Sequence, residues 1–425
     1  MFLFKYALKS IFSRRRQYKS LFIVCVVVGC VIFSAVSISS GMLKSLNVKA
    51  RQYYGGDLQF LGPKRFMFSQ DYADKIASQV PAWAEVYSRI NEEGWDSTLF
   101  FNGNSSLLRM VKGVDFENET HLFEDFTFVE GNHHVSSPDY HSVLISDPVA
   151  KKLGVHVGDV ITFFVSTDEG FYNTIQLHVS GIFQDSSLFG MYTVYMDIAG
   201  LRTVFDYPDD FIEMVTINYF GRMTHKELEE LQANLSGIFK MHDLVDDKYD
   251  FYNDVGYAGE KPDEFALIPL MSNREELKMM TNALNAVVLV IVVILTIIVA
   301  VGIGSTYRVI IIKRTVETGT LRSIGMKSSS VRNLFLAEIF FVLFGGLLLG
   351  GIFSFAVNFV ISRFDFTFIP AFDMFLMGGH IKPLLNAPLL LGVNSLIIVT
   401  TLLSILFTIR QQISKSPVEA LSAVV

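Results

Sequence analysis

The sequence predicts an α-helical membrane protein with four transmembrane helices and a large mixed α/β extracytoplasmic domain inserted between the first and second of them. Three observations predict it. Hydrophobic residues make up 51% of the 425 and the mean hydropathy is +0.39, more than a soluble domain carries. Four segments reach the ~17–25 apolar residues needed to span a bilayer, namely Leu21–Gly41, Leu284–Ile312, Leu334–Ile361 and Leu389–Ile409. Charge then separates the parts. The block 42–283 has no run long enough to span and holds 19 Lys/Arg against 37 Asp/Glu, a net of −18, whereas the first 41 residues hold six Lys/Arg and no acid. Short basic flanks stay cytoplasmic, which puts the N-terminus inside and the acidic block outside. Such an acidic surface repels phosphates and argues against a nucleic-acid partner.

Residues 1–42 hold an interfacial helix and the first span. Phe4, Leu8, Ile11 and Phe12 form an apolar face and Lys5, Lys9 and Arg14–Arg16 a basic one, the pattern of a helix lying on the inner leaflet. The alternative is a signal peptide cleaved near Ala35-Val-Ser37, against which the long amphipathic basic region speaks. Cys25 and Cys30 both fall inside the first span, so the outer block has no disulfide framework.

Residues 43–280 form the outer domain. Asp71 to Gln79 reads as a helix stopped by Pro81, and Ser97–Phe101 with Ser105–Val111 as a hairpin turning through Asn102-Gly103-Asn104. Asp147 can cap a short helix in which Pro148 suits the first position and Gly154 the end. Val160–Val165 and Ile175–Gly181 follow as strands, Asp197–Val204 as a helix and Phe211–Phe220 as a strand. Thr224 and Glu227 make a capping box for a helix lined by Leu228, Leu231, Leu235 and Ile238. The stretch 241–270 gives no assignment. Ser272 and Glu275 make a second capping box, ahead of a helix from Asn273 to Ile312 that would measure ~60 Å.

Residues 281–312 are read as the stalk end and second span, 313–332 as a cytoplasmic loop and 333–361 as the third span. An outer loop at 362–388, the fourth span at 389–410 and a cytoplasmic tail at 411–425 complete the chain. Phe364, Phe366, Phe368, Phe372 and Phe375 suit a loop resting at the headgroups. In the loop 313–332, Lys313, Arg314, Arg322, Lys327 and Arg332 stand against one acid, Glu317. Val316, Thr320, Leu321 and Ile324 recur at helical spacing, Gly325 stands where a helix would end, and Ser328 or Ser329 can cap the next helix. The loop therefore reads as a short amphipathic helix at the cytoplasmic surface. Glu338, an acid inside the third span, is either a transmission or packing contact near the inner gate or a residue within snorkelling reach of the headgroups. Gly346 and Gly350 make a close-packing face for another span of the same chain or for a second copy.

Glu317-Thr-Gly-Thr-Leu-Arg-Ser-Ile-Gly325, followed by Val331-Arg-Asn-Leu-Phe-Leu-Ala-Glu338, resembles the coupling segment of the MacB/FtsX-like ABC permeases, which include the Lol lipoprotein-release permeases. Thr318 stands where that family usually carries Ile. Tyr54–Phe60, Gly113-Val-Asp115, Leu144–Val160 and the tail from Arg410 to Leu421 resemble further elements of the same family. The resemblance implies a MacB-like periplasmic domain on a multi-pass protein of the bacterial cytoplasmic (inner) membrane, with both termini cytoplasmic. It implies that Arg314, Glu317, Gly319, Leu321, Arg322, Ile324 and Gly325 couple to a separate ABC ATPase. Two ATPase copies and a second permease, identical or paralogous, would complete the assembly. ATP and Mg would be held by the ATPase, leaving this chain with no cofactor. ATP-driven motion would reach the outer domain and extract or export lipoproteins or other amphiphiles. The alternative is an FtsX-like signalling permease that activates an extracytoplasmic cell-wall hydrolase without transport.

Enzymatic chemistry finds little support. No Gly-x-x-x-x-Gly-Lys-Ser/Thr phosphate loop occurs, and no serine sits in a Gly-x-Ser-x-Gly context. His121, His133, His134 and His141 lack a cysteine or a helical i, i+4 partner and read as solvated surface side chains rather than metal ligands.

Overall fold

The computed structural model describes the chain except residues 1, 64–67, 134–140, 168, 188, 256–262, 274 and 414–425. The chain opens with α1 (Phe2–Ser13) and α2 (Arg15–Tyr54), which meet at Arg14. The outer segment then runs β1 (Leu58–Leu61), β2 (Phe68–Ser69), α3 (Gln70–Ala77), β3 (Glu85–Phe101), β4 (Asn104–Val114), α4 (Thr120–Glu124) and β5 (Phe128–Gly131). It continues through β6 (Ser142–Ser146), α5 (Asp147–Leu153), β7 (Val160–Ser166), β8 (Tyr172–Phe183), β9 (Thr193–Asp197) and α6 (Ile198–Phe205). It closes with β10 (Phe211–Ile212), β11 (Met214–Asn218), α7 (His225–Ser236), α8 (Lys248–Val255) and β12 (Ala266–Pro269). Four helices follow: α9 (Glu275–Lys313), α10 (Thr315–Ser323), α11 (Ser328–Ile361) and α12 (Ala387–Ile413). Among the described residues, four helices are long and apolar enough to cross a membrane, within α2, α9, α11 and α12.

The chain divides into two compact units, one of residues 1–42, 282–364 and 381–425 and the other of 43–281 and 365–380. In the helical unit, Cys25, Ile32 and Val36 of α2 pack with Ile303 and Ile310 of α9, Ile339 and Leu343 of α11, and Ile397 and Ile405 of α12. The close approach is between α2 and α11. A Cβ on Gly346 would strike the Cβ of Cys25, and one on Gly350 would strike the carbonyl of Val26. The small-residue face thus serves a span of the same chain.

The α/β unit is built on two sheets that share β3. The ladder β12-β1-β11-β3 is antiparallel and carries α3 and α7 over a core of Leu58, Phe60, Ile217, Leu231 and Leu235. From β3 the pairing runs on through β4, β9, β6, β8 and β7 and returns to β3. This closed circuit gives each of those strands a neighbour on both sides over part of its length and encloses Leu99, Leu108, Val143, Phe163, Leu177 and Met196. The 17-residue β3 serves both sheets because it shifts register between Glu93 and Ser97.

Three buried groups secure the end of α2 within this unit. Lys112 on β4 donates to the carbonyl of Tyr53 and lies 3.8 Å above that ring's centroid, a cation at a helix C-terminus, where the macrodipole favours it. Burial pushes its pKa well down. Arg89 on β3 pairs with Glu119 with both side chains out of contact with solvent, and its guanidinium fills the space where Gly55, at φ +86°, would carry a Cβ. Asp57 accepts from the Tyr219 and Gly221 amides at 2.8 and 2.9 Å and pairs with Arg51.

Several sequence expectations need correction. Asn102 and Gly103, at φ 45° and 86°, form the hairpin turn alone, with Asn104 already in β4, as a type I′ turn requires. Asp147 is the first residue of α5 and not its cap, and its carboxylate takes Lys151 at 2.5 Å instead. Lys327 is the N-cap of α11, so neither Ser328 nor Ser329 is. Phe211–Phe220 is two strands in different sheets. The proposed box at Ser272 and Glu275 falls partly outside the described residues. His133 is buried, not solvated, with its ring between Phe123 and Phe128, while His134 lies outside the described residues. The aromatic segment after the third span is not a free-standing loop along 365–380. There it belongs to the α/β unit, burying Met374 and Leu376 and holding Asp373 against Lys49 at 3.2 Å and the Ser186 amide at 2.7 Å.

Candidate coupling site

Nine residues are too few for an isolated helix to persist in water, so α10 depends on what fixes its two ends. Its C-terminus closes in a Schellman motif. The Met326 amide donates to the Leu321 carbonyl and the Gly325 amide to that of Arg322, both at 3.0 Å, with Gly325 at φ +96° as that motif asks of its left-handed residue. The Thr318 hydroxyl, at the position where the resemblance expects Ile, donates to the Arg314 carbonyl at 3.0 Å.

Its N-terminus is held by charge. Arg314 sits at the joint of α9 and α10 and is buried. Its Nη1 donates to Glu338 Oε2 at 2.6 Å and its Nε to Glu317 Oε2 at 2.9 Å, and the guanidinium lies 4.8 Å from the Phe335 ring centroid. Glu338 is fully buried and also accepts from the hydroxyls of Tyr18 at 2.7 Å and Tyr307 at 3.3 Å. Arg14, in the joint between α1 and α2, donates to Glu317 Oε2 at 2.7 Å. Burial alone would raise the Glu317 pKa, but the two guanidinium groups outweigh it and hold the carboxylate below its ordinary value.

Two carboxylates and two guanidinium groups thus balance in a poorly hydrated setting, where an unpaired charge would be costly. The cluster draws on α2, α9, α10, α11 and the α1–α2 joint together. A shift of α10 must either carry these partners along or break charge-assisted bonds.

Of the residues singled out in the sequence, the structure brings Arg314, Glu317 and Glu338 together. Gly319 is buried within α10, and Leu321 and Arg322 are half-buried. Ile324 and Val316 face outward, 80% and 41% exposed. Gly346 and Gly350 lie apart from the cluster, against α2. Arg14, Tyr18 and Tyr307 were not foreseen as members. The available signal was a pair of tyrosines near the ends of apolar runs, where a hydroxyl needs a polar partner; Arg14 was hidden in a run of three arginines.

Residues 289–417 match the family model described as FtsX-like permease C-terminal, and residues 20–229 that described as MacB-like periplasmic core domain. Among solved structures, the periplasmic region of MacB from Actinobacillus actinomycetemcomitans is similar over 53% of this chain and 92% of that one, at 9% identity and a TM-score of 0.34. A permease-protein domain from Porphyromonas gingivalis is similar over 53% of this chain and 96% of that one, at 13% identity and a TM-score of 0.31. No curated protein matches the sequence.

Proposed function

Because the chain belongs to the MacB/FtsX-like permease family, we propose that it is the membrane subunit of an ABC transporter, inserted in the bacterial inner membrane with α10 as the helix that meets a separate ATPase. The α/β unit, placed in the chain between the first two apolar helices, would stand outside the membrane and both termini inside. ATP and Mg belong to the ATPase, and this chain is not itself catalytic. Two ATPase copies and a second permease, identical or paralogous, would complete the assembly, and the cargo would be a lipoprotein or another amphiphile.

One observation carries the reading. The helix whose base is tied into three long apolar helices leaves its apolar residues Val316 and Ile324 outside the packed core. Burying these two apolar side chains against a protein partner would be favourable, since it removes apolar surface from water. Glu317, by contrast, is committed to Arg14 and Arg314, so its role is to hold the helix rather than to touch the partner.

The test is co-purification from native membranes in mild detergent. The parent should bring down an ATPase. Ile324→Glu should lose it by roughly 30-fold, since a charge placed in an apolar contact costs ~2 kcal/mol, with the thermal midpoint of the permease unchanged. Equal ATPase recovery with Ile324→Glu would remove α10 from the interface. Recovery of a cell-wall hydrolase instead of a lipoprotein would favour the signalling role.

A further inference from the structure

Within the helical unit a cleft of about 590 Å³ opens between α1, the start of α2 and α11. Its apolar side, which makes up nearly all of the lining, is formed by Leu8 and Phe12 of α1, Phe22 of α2 and Phe341 of α11, and Arg15, Arg16 and Lys19 border it with little polar surface inside. Phe12 is 75% exposed, so the chain leaves this apolar surface uncovered. Arg15 and Lys19 are four residues apart and share a helix face, with Arg16 beside them, and all three are exposed. No acidic side chain lines the cleft among the described residues.

These two sides restrict the occupant. An apolar helix from another protein would cover Phe12 and Phe341 but leave three cations against a poorly hydrated contact. A free anion would answer the cations but leave the aromatic floor in water. A molecule with an acyl chain and a negative head satisfies both. We propose that the cleft binds an anionic phospholipid of the leaflet adjoining α1, with its phosphate among Arg15, Arg16 and Lys19 and its acyl chain along Phe12, Phe22 and Phe341. The volume is that of a ligand site rather than a packing flaw. Tyr18 lines the same cleft and donates to Glu338 at 2.7 Å, so the lipid would abut the ion-pair cluster and steady its α2 side. This last step rests on the coupling role proposed above; the binding itself does not.

The experiment uses the full chain, delipidated in detergent and exchanged into nanodiscs holding equal phosphatidylglycerol and phosphatidylcholine, with retained lipid counted by native mass spectrometry. The parent should retain phosphatidylglycerol preferentially. Replacing Arg15, Arg16 and Lys19 by Gln should weaken that retention by roughly fivefold for each charge removed, while Phe12→Ser should lower retention of both lipids and keep the preference. Should the triple variant fail to insert, the parent decides alone, because a phosphate among cations loses its preference as salt rises. Equal retention of the two lipids by the parent, or a preference unmoved by salt or by the triple replacement, would overturn the proposal. ATPase capture is measured separately, so loss of capture with intact lipid preference strikes the coupling role alone.

Discussion

Glu338 concentrates the energetics of the helical unit, since one of its oxygens takes Arg314, Tyr18 and Tyr307 together. Removing one member of such a buried pair leaves the other uncompensated. Glu338→Ala should therefore destabilise the detergent-solubilised chain by ~3–5 kcal/mol, measured as a fall in the thermal midpoint. Arg314→Met combined with Glu338→Leu should recover most of it, because Glu317 still has Arg14. A double variant no better than the single one would show that the two side chains do not act as a pair. In the α/β unit Glu213 gives a second residue-level prediction. Its carboxylate accepts from the Asn91 amide at 2.7 Å, yet burial, reinforced by Glu92, pushes its pKa up to about 7 from an ordinary 4.5. The folded chain then binds this proton more tightly than the unfolded one across that window, so stability falls as pH rises from about 4.5 to about 7. Unfolding midpoints at about pH 5 and pH 8 should differ more in the parent than in Glu213→Gln; the same pH slope in both would assign it to other groups.

Elements differ in how much of them the sequence discloses. The spans show themselves as apolar runs, and α10 shows itself through the recurrence of Val316, Thr320, Leu321 and Ile324 and through the stop at Gly325. Thr224 and Glu227 are legible because a capping box is local, and both of its bonds form. The first half of β3 is not legible, because Arg89, Glu92 and Glu93 give it the look of solvated chain. The fold instead buries Arg89 with Glu119, and a register shift after Glu93 breaks the alternation. The cluster around Glu338 was half visible: three acids and bases could be named, but Tyr18 and Arg14 come from the other end of the chain, 320 and 303 residues from their partners, and Tyr307 lies 31 residues before Glu338 on the preceding long helix. The α2–α11 contact makes a prediction at this scale. Gly346→Leu cannot fit against Cys25 and should part the two helices, so that alkylation of the buried Cys25 by N-ethylmaleimide in a Cys30→Ser background rises at least about tenfold, a ~1.4 kcal/mol change in opening. An unchanged rate would mean that the helices do not pack through these residues.

At the scale of the molecule, the closed circuit of strands in the α/β unit and the helical unit are joined by two long helices, α2 and α9, whose sequences run from one unit into the other without a helix break among the described residues. The C-terminus of α2 meets Lys112 from β4, Arg89 from β3 packs on the turn at Gly55, and Arg51 reaches Asp57 at the mouth of β1. These contacts hold the end of the helix at Arg51, at Tyr53 and at the Gly55 turn. A rod gripped at one point of its circumference can spin in its socket, whereas one keyed at several points cannot. Keyed in this way, the last turns of α2 cannot rotate about their own long axis inside the α/β unit without straining the contacts that β3 and β4 make to them.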